Sequence, residues 1–320
     1  MKKNNMKNRQ HIFNKLILIL AVASFLVFPA CSQTADSEVT PEVDDAGLEV
    51  FPNPTGKLLF AAKPESGDPF DIFLLHLETG EMERITRTDA SDISPDITQD
   101  GELVLYSSDR ARTYDIYSVA LPGGKPQQLT AFGMDETEPR VSPDGTNVIF
   151  QSDAFGDYDI VLLDIASGEE TRLTEADSQE TQAAWSSDGE QIAFLSDRDG
   201  DFEIFSMDAD GGSKTQLTDN AYYEASPVWS PDDSQVAFLS RRGAGHFQIY
   251  LMDMADGSET QLTDLPQTVH SPAWSSDGSH IAFIREGSSG SQINVIDLES
   301  GIVYLLLDEF SKYAGLAWIQ

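Results

Sequence analysis

A period of 44 residues runs through this 320-residue chain and leaves it few ways to fold. An Asp-Gly pair, once Asp-Asp, recurs as Asp100-Gly101, Asp144-Gly145, Asp188-Gly189, Asp232-Asp233 and Asp277-Gly278, in steps of 44, 44, 44 and 45 residues. A second marker, an aliphatic residue before a threonine, recurs with the same steps as Ile85-Thr86, Leu129-Thr130, Leu173-Thr174, Leu217-Thr218 and Leu262-Thr263. Two markers sharing one period define a structural repeat. A repeat of about 40–45 residues holding four strands is the signature of a propeller blade.

Each unit spells four short strands. In the fourth unit they are predicted over residues 183–186, 191–196, 203–207 and 214–217, separated by Asp- and Gly-rich turns. These residues tolerate positive φ or bond their own backbone in tight turns. The second strand carries Ile192-Ala193-Phe194-Leu195 without alternation, so both of its faces are expected to be buried. The first unit offers only three strands, over 57–62, 71–77 and 82–85, and the missing one stands at the C-terminus over 315–320. Trp318 falls on the repeat position of Trp185, Trp229 and Trp274, and six whole periods fill the chain from Lys57 to Gln320. The expectation is an all-β, six-bladed β-propeller with four antiparallel strands per blade. The C-terminal strand completes the N-terminal blade, which closes the ring and removes exposed sheet edges.

The chain before the repeats reads as an export signal and a tether. Lys2, Lys3, Lys7, Arg9 and Lys15 precede an apolar stretch over 16–28 that is too short to span a bilayer. Cys31, the only cysteine, follows Ala30 directly. An exported protein with one thiol has no disulfide framework. The segment resembles a bacterial lipoprotein signal in which Cys31 is acylated, with simple secretion as the alternative. Residues 1–30 are thus assigned to a lipoprotein-type signal peptide, 31–52 to an acidic flexible tether and 53–320 to the propeller. The chain is expected in the cell envelope, on the periplasmic or the cell-surface side, held to a membrane by lipid alone and monomeric.

Net charge narrows the partners. The chain carries −34 at pH 7, and loss of the signal peptide, with five basic side chains and no acid, takes it to −39. Such a surface repels phosphate backbones, which excludes nucleic acid as a partner.

Ser226-Pro227-Val228-Trp229-Ser230-Pro231-Asp232, Ser196-Asp197-Arg198-Asp199-Gly200 and Gln216-Leu217-Thr218 resemble the repeats of the TolB-type, WD-like propeller family over about residues 57–320. TolB itself has an α/β domain ahead of its propeller, whereas a short acidic tether precedes the repeats here, so the resemblance carries over no place in the Tol-Pal system. The fold it implies hosts many functions, so function has to be read from sites.

Three chemistries would leave recognisable residues. A serine hydrolase needs a Gly-x-Ser-x-Gly elbow, which Gly287-Ser288-Ser289-Gly290-Ser291 fails at its last position. A metal-dependent polysaccharide lyase, an activity of some propellers resembling this family, needs converging imidazoles. Of His76, His246, His270 and His280, only His270 stands near an innermost strand, four residues before Trp274. Asp197-Arg198-Asp199-Gly200-Asp201 opens like a calcium loop but lacks the distal bidentate glutamate, so a hairpin turn is favoured and no cofactor is expected, with calcium as the alternative. A fourth signal is positional: Asp92, Glu136, Glu180 and Glu224 stand five residues before the Trp position, replaced by Val269 and Tyr313 in the last two units. In a loop leading into the innermost strand they would rim one channel mouth, as a shared site for a cation or basic ligand; alternatively each caps a turn in its own blade. With His270 they are the candidate binding residues. The reading is a non-catalytic scaffold that presents a propeller face and channel mouth to an envelope protein, a peptide or a glycan; a channel-sited carbohydrate enzyme is the alternative.

Overall fold

A computed structural model of the protein describes residues 49–319 apart from 52–54, 243, 244 and 289. The export signal, Cys31 and the tether as far as residue 48 lie outside the described residues. Every described element is a strand, so no helix there is long and apolar enough to cross a membrane.

The strands form six sheets arranged as the repeat demands. Blade 1 consists of Lys57–Lys63, Asp71–His76 and Glu81–Arg84, with Lys312–Ile319 as its innermost strand. Blades 2 to 5 each run outward in chain order. Their innermost strands are Asp92–Ile97, Glu136–Val141, Glu180–Trp185 and Glu224–Trp229. Their outermost strands are Gln127–Gln128, Glu170–Arg172, Thr215–Gln216 and Glu259–Gln261. Blade 6 runs from Val269–Trp274 to Val303–Leu307 and gains a fifth, parallel strand, Glu49–Val50. The last residues of the segment read as tether are thus paired to the outer edge of blade 6, and Phe51 behind them is buried against Tyr304, His280 and Trp318.

Burial of both faces of each second strand holds the ring together. On Leu103–Ser108, Val104 and Tyr106 pack with Leu59 and Ala61 of blade 1, while Leu105 packs with Val148 and Phe150 of blade 3. The apolar run without alternation in the sequence has this geometric cause. Both repeat markers are hydrogen-bonding devices. In the hairpin after each innermost strand, the Thr98, Ser142, Ser186, Ser230 and Ser275 hydroxyls donate to the aspartate two residues on, at 2.6–2.7 Å. The next residue needs φ near +70°, which glycine supplies in four units and Asp233 adopts at 58° in the fifth. The marker threonines are buried, and each hydroxyl accepts the third-strand backbone N–H of Ile72, Ile116, Ile160, Ile204 or Ile249 at 2.8–3.0 Å.

The innermost strands begin three residues earlier than predicted, at the acids themselves. Each contains a bulge whose first residue, Ser94, Glu138, Gln182, Ser226, Ser271 or Gly315, lies at φ between 49° and 60°. The bulge breaks the alternation that marks a strand in sequence, which is why the acids read as loop residues.

Closure follows the expected route. Lys312–Ile319 pairs antiparallel with Lys57–Lys63 from Lys57↔Ile319 to Lys63↔Lys312, and the Trp318 indole donates to the Thr55 carbonyl at 3.1 Å. Deleting residues 315–320 removes the buried Leu316 together with Trp318 and reopens the sheet. The loss expected is at least about 3–5 kcal/mol out of a typical total of about 5–15 kcal/mol. Thermal unfolding followed by circular dichroism checks it, and an unshifted transition would mean that another contact closes the ring.

Candidate functional site

The ring encloses a channel with two cavities. One, of about 200 Å³, lies at the bulges and is lined by Ser94, Glu138, Gln182, Ser226, His270 and Gly315 among others. The backbone crowds this waist: a Cβ on Gly315 would stand 2.9 Å from Pro95 Cδ and 3.1 Å from Ser94 Cα. The second, of about 530 Å³, opens where the innermost strands end. Trp185, Trp229, Trp274 and Trp318 line one side of it, and Ile97 and Val141 take the Trp position on the other. The indoles also lace the blades together: Trp185 Nε1 donates to the Arg140 carbonyl and Trp274 Nε1 to the Val228 carbonyl, both at 3.2 Å.

His270 lies on the wall of the smaller cavity, its Nε2 at 2.9 Å from Glu286 Oε1. Burial lowers its pKa against the raising effect of Glu286, so the ring is predominantly neutral at pH 7. Of His76, His246, His270 and His280, His270 alone lines these cavities. The described residues contain no group of three or more His, Cys, Asp or Glu placed to hold a metal. Asp197, first residue of the calcium-like loop, accepts the Gln179 backbone N–H at 2.8 Å, and Asp109 and Asp153 make the same tie from their own loops. The motif fastens a hairpin to the segment that enters the same blade.

Asp92, Glu136, Glu180 and Glu224 are not brought together at a channel mouth. They are 0, 0, 0 and 2 % exposed, line neither cavity, and each sits at the junction between its own blade and the preceding one. Each opens an innermost strand by donating its backbone N–H to the preceding blade, to the carbonyls of Phe70, Tyr114, Tyr158 and Phe202. That position draws the side chain between two sheets, out of reach of the channel.

What the junctions hold is a set of ion pairs between buried acids and half-buried arginines. Asp92 meets Arg110 at 3.0 Å, Glu180 meets Arg198 at 3.0 Å and Glu224 meets Arg242 at 2.9 Å. The spacing from acid to arginine is the same in all three pairs. Each guanidinium also lies over an aromatic ring, with Cζ 4.2 Å from Tyr117, 4.4 Å from Phe205 and 4.6 Å from Tyr250. A second acid, from the third strand of the preceding blade, faces the first: Asp71, Asp115, Asp159 and Glu203. Asp71 pairs with Arg84, and Asp159 with Arg172 at 2.7 Å. At the two remaining junctions neutral residues replace the acids: Gln248 and Val269, then Ser291 and Tyr313, where Ser291 accepts the Tyr313 N–H at 2.8 Å.

The junction of blades 2 and 3 departs from this pattern. The position equivalent to Arg110, Arg198 and Arg242 is Ala154, and the position that supplies Arg84 and Arg172 elsewhere is Gln128. Asp115 and Glu136 face each other there, and the ion pairs of the described residues include none to either. Burial is the main reason that Glu136 is pushed up to about 7, with Asp115 adding to it. Sequence reasoning missed the arginines, although Arg110, Arg198 and Arg242 stand in the repeat and Ala154 marks the gap.

Comparison with known proteins places this geometry. The sequence model of the TolB beta propeller domain matches residues 46–155, 132–243 and 199–314. No curated protein matches the chain in sequence. The structure is similar to TolB from Acinetobacter baumannii, with a TM-score of 0.72, 21% identity, and 82% of this chain covering 66% of that one, just under two thirds. It is similar to a chain assigned as TolB in Agrobacterium tumefaciens, with a TM-score of 0.65, 22% identity, and coverage of 83% and 99%. An oligogalacturonate lyase in complex with manganese is similar at a TM-score of 0.56, 17% identity, and coverage of 80% and 75%. At these identities the structural likenesses establish the fold.

Two stability experiments test the junctions. Arg198→Met leaves Glu180 buried without its cation; because the arginine is 29% exposed, a loss of about 1–3 kcal/mol is expected in urea unfolding. Glu136 has a folded-state pKa of about 7 against 4.5 for the free side chain, so the folded protein holds the proton more tightly. The stability this lends is complete below about pH 4.5 and is lost as pH rises through about 7. Glu136→Gln keeps a neutral group there at every pH, so its melting temperature should gain on the wild type between pH 5 and pH 8. A constant difference would place the titration elsewhere.

Proposed function

Because the chain belongs to the TolB β-propeller family, we propose that it is a protein-binding scaffold of the bacterial cell envelope, anchored through Cys31 and docking its partner on one face of the ring. The observation that carries this reading is the distribution of exposed apolar side chains. Phe132 and Met134 lie on the segment between blades 2 and 3, Phe155 on a hairpin of blade 3, and Tyr222 and Tyr223 on the segment between blades 4 and 5. All five belong to connections on the face where the innermost strands start. Of the six exposed large hydrophobics among the described residues, Ile302 alone lies on the opposite face. Exposed aromatic residues on loops held by a rigid sheet are the usual anchors of protein docking. A net charge of −34 favours a partner whose docking segment is basic as well as apolar.

The propeller then works by geometry. Six blades fix the loops of the docking face, and the threonine and aspartate bonds described above hold each loop to its blade. The anchor keeps the domain at a membrane surface; with one acyl chain giving only marginal attachment, the modified N-terminus carries more than one. The lyase reading has only the single imidazole of His270 on its side, already engaged with Glu286.

Cys31→Ser is expected to move the protein from the membrane to the soluble fraction, whereas retention in membranes would remove the lipid from the proposal. Affinity capture from envelope extracts should recover a defined set of proteins with the wild type. A Phe132→Ser, Phe155→Ser, Tyr222→Ser, Tyr223→Ser variant that melts normally should lose that set by about tenfold or more. Equal recovery would place docking elsewhere.

A further inference from the structure

We propose that the junction of blades 2 and 3 is a receptor for an arginine side chain of the docking partner, its guanidinium taking the place that an arginine of the chain itself fills at the sister junctions. This rests on the docking face proposed above and names what that face recognises.

The repeat supplies the comparison. Four junctions carry a pair of buried acids, and at three of them an arginine at one fixed spacing beyond the innermost acid pairs with that acid. At the fourth, Ala154 truncates that side chain to a methyl group, and Gln128 stands where Arg84 and Arg172 serve the other acid at two of the sister junctions. Asp115 Oδ2 and Glu136 Oε1 are both buried and without a hydrogen-bond partner among the described residues. Glu180 and Glu224 also keep one such oxygen, but a guanidinium is bound to the other. Two adjacent buried carboxyls without a cation are costly unless a proton stands in for it.

The surroundings are also those of an arginine site. In the sister blades each guanidinium lies over an aromatic ring of its own third strand. Blade 3 has Val161 at that position, and aromatic rings come from the loops instead: Phe132 and Phe155 meet edge to face at 6.2 Å, 39% and 46% exposed. The Arg172 guanidinium covers Phe155 at 4.5 Å, which leaves Phe132 as the ring for an incoming guanidinium. Phe155 follows Ala154 directly, and the Phe132 backbone hydrogen-bonds Glu136. The remaining groups facing the pair are polar or acidic: Thr130, whose hydroxyl donates to Glu136 Oε2 at 3.0 Å, Gln128, and Asp135 on the entering segment. Among the described residues no cation is paired with either acid. A planar guanidinium suits paired carboxylates and stacks on aromatic faces better than an ammonium does. Its arrival favours the ionised form of Glu136, which burial pushes up to about 7, so binding releases a proton and strengthens as pH rises toward 8.

The test uses the full-length protein and N-acetyl-arginine amide, with N-acetyl-lysine amide and N-acetyl-citrulline amide as controls, at fixed ionic strength. Calorimetric titration at pH 8 should show one saturable site for the arginine probe, weaker for lysine by about tenfold and unmeasurable for citrulline. Binding at pH 5.5 should be weaker. Ala154→Arg restores the sister arrangement, so it should raise the melting temperature at pH 8 and abolish probe binding. Glu136→Gln should weaken binding by about tenfold or more without needing any new side chain to fit. The proposal is overturned if the probe binds wild type and both variants alike, if it binds none of them, or if Ala154→Arg folds with a lowered melting temperature. Failure of the wild type to capture a defined set of proteins, with probe binding intact, would count against the scaffold reading alone; capture by the wild type without probe binding would count against this site alone.

Discussion

A four-stranded blade has two apolar faces, and only a neighbouring blade can cover each of them. Val104 and Leu105 are adjacent in sequence yet belong to two different cores, one shared with blade 1 and one with blade 3. No blade can therefore be stable alone, and the chain cannot end with an uncovered face. The ring is the arrangement in which every face has a partner. Pairing of the C-terminal strand with Lys57–Lys63, with Phe51 and Trp318 packed beside it, makes the first and last blades neighbours.

Face-to-face burial also decides the fate of polar groups. Side chains at blade junctions leave water, so any acid there must be bonded or neutralised. The junctions differ in how this is met: guanidinium pairs at three, neutral residues at two, and at one a pair of carboxyls whose burial pushes Glu136 up to about 7. Docking and stability meet at the last. The blade 2/3 junction lies beneath exposed Phe132 and Phe155, and it is the junction whose charge balance is incomplete within the chain.

The channel is a less specific feature. Its waist is set by backbone bulges repeated in all six innermost strands and its wider end by four tryptophans whose ring nitrogens, in three cases, bond backbone carbonyls. These groups are largely spent on holding blades in register. The outer loops are fixed at their bases and leave Phe132, Phe155, Tyr222 and Tyr223 exposed, as a recognition surface requires.

The sequence by itself determined the ring. Two markers at one spacing, an apolar run without alternation and a displaced last strand specify the blade number, the strand order and the closure, because each reports a local hydrogen-bonding or packing need that recurs in every unit. It could not place the acids. Asp92, Glu136, Glu180 and Glu224 share a repeat position, and a shared position in a radial array suggests convergence on the axis. Tertiary structure decided otherwise, for a reason no spacing carries. A left-handed residue two places later lets the innermost strand begin at the acid, and the preceding blade's carbonyl then fixes that residue between two sheets. The arginine at Ala154 is absent from the sequence in plain view, but its absence acquires meaning only when folding brings Asp115 of one blade against Glu136 of the next.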